Sequence, residues 1–84
     1  MKAWGKLKIE DRIFKDVIVQ NQDFNGVILA ICDHFDLSKP VICEKHIKEV
    51  ASYRITVFYP DDFLEDVTFD ALEIEIFANK KKNK

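Results

Sequence analysis

Long apolar runs are missing from this sequence: the longest, Val27 to Cys32, falls far short of the roughly 20 residues that a membrane-spanning helix needs. No membrane association is therefore expected. The basic start at Met1-Lys2 is followed by no continuous apolar stretch and no small-residue cleavage site, which predicts a cytoplasmic rather than a secreted chain. Cysteine is scarce, with only Cys32 and Cys43, whereas disulfide-stapled small domains carry several bridges. Both are predicted to be reduced thiols. Two glycines and two prolines leave no linker to divide the 84 residues, and a chain of this length supports one core. Lys and Arg are absent between Pro60 and Asn79, where Asp61, Asp62, Glu65, Asp66, Asp70, Glu73 and Glu75 follow one another. A phosphate backbone would be repelled there. The net charge of −2 conceals this, because Lys80, Lys81, Lys82 and Lys84 offset a remainder of about −6.

What is present is the apolar and charged balance of a globular protein, arranged in recognisable periods. Trp4 to Ile9 alternates, with Leu7 and Ile9 on one side and Lys6 and Lys8 on the other. Glu10-Asp11-Arg12 then leads into the β-branched run Ile13 to Val19, which predicts a hairpin. The second strand of that hairpin does not sort into faces: Ile13, Val17 and Val19 share a side with Lys15, and Phe14 and Ile18 share one with Asp16. Asn21-Gln22-Asp23 offers a cap to a helix over about 22–36, whose face is Phe24, Val27, Ile28, Ile31, Cys32 and Phe35. Asn25-Gly26 is a competing hairpin signal, but a strand would put Asp33 and Phe35 on one side, so the helix is the better reading.

Pro40 forces extended backbone before it, and a short strand is expected over 41–43. A short helix follows over about 44–52, with Ile47, Val50 and Ala51 inward and Lys45, Lys48 and Glu49 in water. Residues 53–59 alternate as a strand, setting Ile55, Val57 and Tyr59 against Arg54, Thr56 and Phe58. Asp62 to Glu65 resembles a capping box that would open one helical turn. The clearest alternation is Ala71 to Phe77, where Leu72, Ile74 and Ile76 face inward and Glu73 and Glu75 face out. The expected fold is α+β: a four- to five-stranded, mostly antiparallel sheet with both helices packed on one face. It occupies residues 1–79, and a disordered lysine-rich tail occupies 80–84.

At Trp4-Gly5-Lys6-Leu7, Asp36-Leu37-Ser38-Lys39-Pro40 and Asp70 to Ile76, the chain resembles a family of small uncharacterised bacterial proteins. The similarity spans most of the length. It consists of a WGK-type start, a central D-L-S-K-P step, an F-x-E/D element at Phe63 and Glu65, and a DFD-x-LEI ending. Thr68 stands where the first acid of that ending would be, so a role for that acid does not transfer. The resemblance implies a bacterial cytoplasmic protein and one intact domain, and supplies no catalytic residues.

Three constellations are chemically suggestive. Cys32-x-His34 and Cys43-x-x-His46 hold the ligand inventory of a tetrahedral zinc site. Residues two apart on a helix diverge, however, which favours a core cysteine and two surface histidines. Cys43 with His46 is also the better nucleophile–base pair, although no oxyanion-binding turn accompanies it. Asp70, Glu73 and Glu75 are weak candidates for a divalent cation, and the same pattern suits a solvated strand. No cofactor is expected. Ten aromatic residues exceed the evident needs of so small a core, and Trp4, Phe14, Phe58, Tyr59 and Phe77 are the candidates for an exposed binding patch. The expected role is that of a noncatalytic accessory or interaction module, with a protein partner or self-association. The alternative is nucleic-acid association through the basic tail, which the acidic remainder disfavours.

Overall fold

A computed structural model describes residues 1–77, so the lysine tail expected over 80–84 lies outside the described residues. Strand β1 (Lys2–Ile9) and strand β2 (Arg12–Gln20) form the first hairpin. Helix α1 (Phe24–His34) and helix α2 (Glu44–Tyr53) follow, then β3 (Ile55–Phe58), a single 3-10 turn at Pro60–Asp62, and β4 (Ala71–Ile76). The strands form one antiparallel sheet in the order β2-β1-β4-β3. This is the expected α+β architecture, with four strands. No helix among the described residues is long and apolar enough to cross a membrane.

The hairpin turns in two residues, Glu10 and Asp11, both in the left-handed region at φ 53° and 66°. That is the conformation a two-residue hairpin demands, here adopted without glycine. Asp70 steadies it, its Oδ2 accepting the Glu10 amide at 2.7 Å. Helix α1 begins where Asp23 accepts the Gly26 amide at 2.8 Å, an N-cap bond to the third helical residue. Gly26 serves close approach rather than a turn, because a Cβ there would collide with the Asn21 carboxamide. The helix closes with Asp36 left-handed at φ 59°, its amide bonded to Asp33 and that of Leu37 to Cys32. This paired closure is the Schellman pattern.

Helix α1 lies on the sheet face formed by Val17 and Val19 of β2, Ala3, Gly5 and Leu7 of β1, and Leu72, Ile74 and Ile76 of β4. Gly5 sets the depth of the approach, since a Cβ there would stand 2.7 Å from Ile31 Cγ2. Val27, Ile28, Ile31 and Cys32 are buried, as the helical period predicts. The alternation of β4 is likewise found, with Leu72, Ile74 and Ile76 inward.

Three expectations are corrected. Residues 41–43 form no strand, since Val41 makes a single backbone bond to Asp62 and no ladder. The helical turn sits at Pro60–Asp62 instead of starting at Asp62, because Pro60 supplies its first position and Asp62 caps it backward onto the Tyr59 amide at 2.9 Å. Glu65, freed from any capping box, accepts both the amide and the hydroxyl of Ser38, tying the two long loops together. Helix α2 is rotated from the expected face: His46 is fully buried, Glu49 accepts the Thr56 hydroxyl at 2.5 Å, and Ile47 is exposed.

Candidate functional site

Among the described residues nothing covers the face of the sheet opposite the helices, and a polar network runs across its centre. Trp4, Lys6 and Lys8 of β1 lie there beside Glu73 and Glu75 of β4 and Asp16 and Ile18 of β2. The Lys6 ammonium contacts Glu73 at 2.9 Å and Glu75 at 3.1 Å, and sits 4.0 Å from the centre of the Trp4 ring. The Trp4 indole N–H donates to Asp16 at 2.8 Å, and Lys8 reaches the second oxygen of Glu73 at 2.8 Å. Lys6 is only 5% exposed although no helix covers it, because Trp4 and the two glutamates enclose it. Burial opposes the ammonium charge, but hydrogen bonds to Glu73 and Glu75 outweigh it and raise the Lys6 pKa. Burial likewise opposes the Glu73 charge, and the bonds from Lys6 and Lys8 prevail and lower its pKa.

This network decides what the carboxylates can do. Glu73 and Glu75 already neutralise two lysines, while Asp70 is occupied at the hairpin turn. The structure does not bring the three suggested cation ligands together. Among the described residues no group of three acidic, His or Cys side chains is placed to hold a metal.

The sheet edge beyond the network is of another character. Strand β2 is an edge strand nine residues long, and Ile13, Phe14 and Ile18 on it are 49%, 61% and 55% exposed. Its pairing with β1 slips between Leu7 and Lys8: Leu7 faces Lys15, Lys8 faces Ile13, and Phe14 is the extra residue of a bulge. The slip reverses the side-chain parity, so Ile13 joins Asp16 and Ile18 on the open face while Lys15, Val17 and Val19 share the helix face. Met1 and Asn21 exchange both backbone bonds. Ladder alternation then directs the amides and carbonyls of Gln20, Ile18 and Asp16 away from β1, toward the free edge.

The five aromatic candidates separate accordingly. Phe14 is exposed at the bulge, and Trp4 is half-buried in the polar network. Tyr59 is exposed beside Lys45, and Phe77 is half-buried at the end of β4 with Lys2 over its ring. Phe58 is removed from the patch: it is fully buried on the helix face, opposite Leu72, and stacks on His46 at 4.1 Å. Ile13 and Ile18 were not singled out by the sequence, because their face depends on the bulge.

The cysteine–histidine pairs are also resolved. Both thiols are free; Cys32 is buried, and burial, followed by the charge of Glu65, pushes its pKa up to about 11, which leaves it an inert thiol. The imidazole of His46 accepts the Cys43 amide through Nδ1 at 2.8 Å, so its Nε2 carries the proton in the neutral ring. That Nε2 is buried with no hydrogen-bond partner among the described residues, 3.6 Å from Asp62. The nitrogen nearest Cys43 is thus spent on backbone, and no nucleophile–base contact forms. A separate open groove of about 720 Å³ lies where Phe24, Pro40, Val41, Ile42, Ile47 and Leu64 meet. No family model, curated protein or solved structure matches this chain.

Proposed function

We propose that this protein is a small noncatalytic interaction module of the bacterial cytoplasm, and that it binds a protein partner by accepting an extended segment along the free edge of β2. The observation that carries the proposal is the nine-residue edge strand with Ile13, Phe14 and Ile18 uncovered. Strand addition draws affinity from main-chain bonds and specificity from alternate side chains. Asp16, Ile18 and Gln20 supply the first, and Ile13, Phe14 and Ile18 supply the second. In the polar network beside the edge Lys6 and Lys8 offset Glu73 and Glu75, which leaves Asp16, bonded to the Trp4 indole, as its one uncompensated charge. Long flat edges are ordinarily blunted by short length, charge or bulging. Here the bulge at Phe14 leaves Lys15 to Gln20 regular and accessible.

The test uses short random peptides displayed for selection against the intact chain, followed by binding to an Ile18→Pro variant. Proline there removes an outward amide without removing a bond to β1, which an edge position tolerates. Peptides with alternating apolar residues are expected to bind and to lose about tenfold in affinity to the variant, the worth of one strong hydrogen bond. Selected peptides that bind both proteins equally would overturn the proposal.

A further inference from the structure

We infer that the strand accepted by β2 is the β2 of a second copy, so that two chains join through a two-fold axis into one continuous eight-stranded sheet. This rests on the reading of β2 as a binding edge and names its occupant. The register of the strand points to this occupant. An antiparallel β2–β2 pair must bring the outward-directed residues Asp16, Ile18 and Gln20 against one another, and the two-fold axis restricts the choices to a small set.

With the axis at Ile18, Ile18 faces its own copy, Asp16 faces Gln20, Val17 faces Val19, and Lys15 faces Asn21. From Lys15 to Asn21 every position then meets one of its own polarity and no like charges are opposed, while Phe14 and Ile13 fall opposite Gln22 and Asp23, beyond the end of β2. Moving the axis to Val17 sets Asp16 against Ile18, and moving it to Val19 sets Gln20 against Ile18. Axes at Asp16 or Lys15 oppose two carboxylates or two ammoniums. Over residues 15–21 this is the one register of those compared that is self-complementary in both charge and hydrophobicity. Ile18, 55% exposed in the single chain, becomes the centre of the interface. Val17 and Val19, half-buried against the core, extend that core across the axis.

Sedimentation equilibrium of the full chain is expected to give twice the 9.8 kDa of one copy. An Ile18→Lys variant, which sets two ammoniums at the axis, is expected to sediment as a folded single copy with unchanged circular dichroism. The register is read separately in a Cys43→Ser background. Ile18→Cys is expected to give an oxidised disulfide dimer, whereas Gln20→Cys, which faces Asp16, is expected to give none. A single-copy mass up to millimolar concentration would overturn the inference, as would an Ile18→Lys protein that remains dimeric or crosslinking at Gln20→Cys in place of Ile18→Cys. If the chain stays single, or dimerises through another face, yet captures selected peptides along β2, the second copy is wrong and the interaction proposal survives; if selected peptides also bind the Ile18→Pro variant equally, both fail.

Discussion

Strand β3 runs for four residues along one edge of the sheet, and β2 runs for nine along the other. At β3 every second side chain is buried: Thr56 bonds to Glu49 of α2, and Phe58 stacks on His46. At β2 no side chain is fully buried. The difference teaches that full burial is concentrated on β1, β4 and β3, whereas β2, which α1 also packs against, is half-buried only at Val17 and Val19. The second hairpin strand is held chiefly by its ladder to β1. The side chains that the fold leaves uncovered on β2, Ile13, Phe14 and Ile18, are the ones that can be given to a partner.

Two phenylalanines give the largest test of that contrast. Phe58→Ala is expected to destabilise the protein by about 3–5 kcal/mol, the cost of emptying a packed aromatic site. Phe14→Ala, on the opposite edge, is expected to change stability by no more than about 0.5 kcal/mol, as at an ordinary surface position. Urea unfolding of the two variants at a concentration that holds the chain as a single copy measures both. Equal losses would mean that β2 carries core weight and that the contrast is false.

The central network is expected to give the next effect. Lys6→Ala leaves Glu73 and Glu75 short of a partner and should cost about 2 kcal/mol. The pH profile follows from the directions of the two shifts. Because the Glu73 pKa is lowered on folding, its contribution is complete above the unfolded value of about 4.3 and is lost as pH falls through the lower folded value. Because the Lys6 pKa is raised, its contribution is complete below the unfolded value and disappears only as pH rises through the folded one. Wild-type stability should therefore drop on acidification, and Lys6→Ala should flatten that drop. A parallel profile in the variant would show that Lys6 is not what holds Glu73 ionised.

The fold was legible where local pattern and tertiary environment agree. Strand β4 shows its inward Leu72, Ile74 and Ile76 in sequence because each alternate position is charged, and α1 shows its buried stripe because Phe24 to Phe35 keeps one face for three turns. The surface of interest was only half legible. The bulge at Phe14 is fixed by the register against β1, so nothing in Ile13 to Val19 alone reveals that Ile13 changes sides. Helix α2 misled for a related reason: His46 and Glu49 turn inward because Cys43 and Thr56 satisfy them, and those partners belong to the fold rather than to the helix. Burial of Lys6 is likewise written in Glu73 and Glu75, which reach it only through the pairing of β1 with β4.

Amide hydrogen exchange at Asp16, Ile18 and Gln20 tests the account most directly. In dilute solution these three outward amides should exchange far faster than those of Val17 and Val19, which bond to β1, and at high protein concentration they should slow as the second strand occupies the edge. Exchange rates at the three positions that stay fast at every concentration, or that are already slow in the dilute chain, would contradict it.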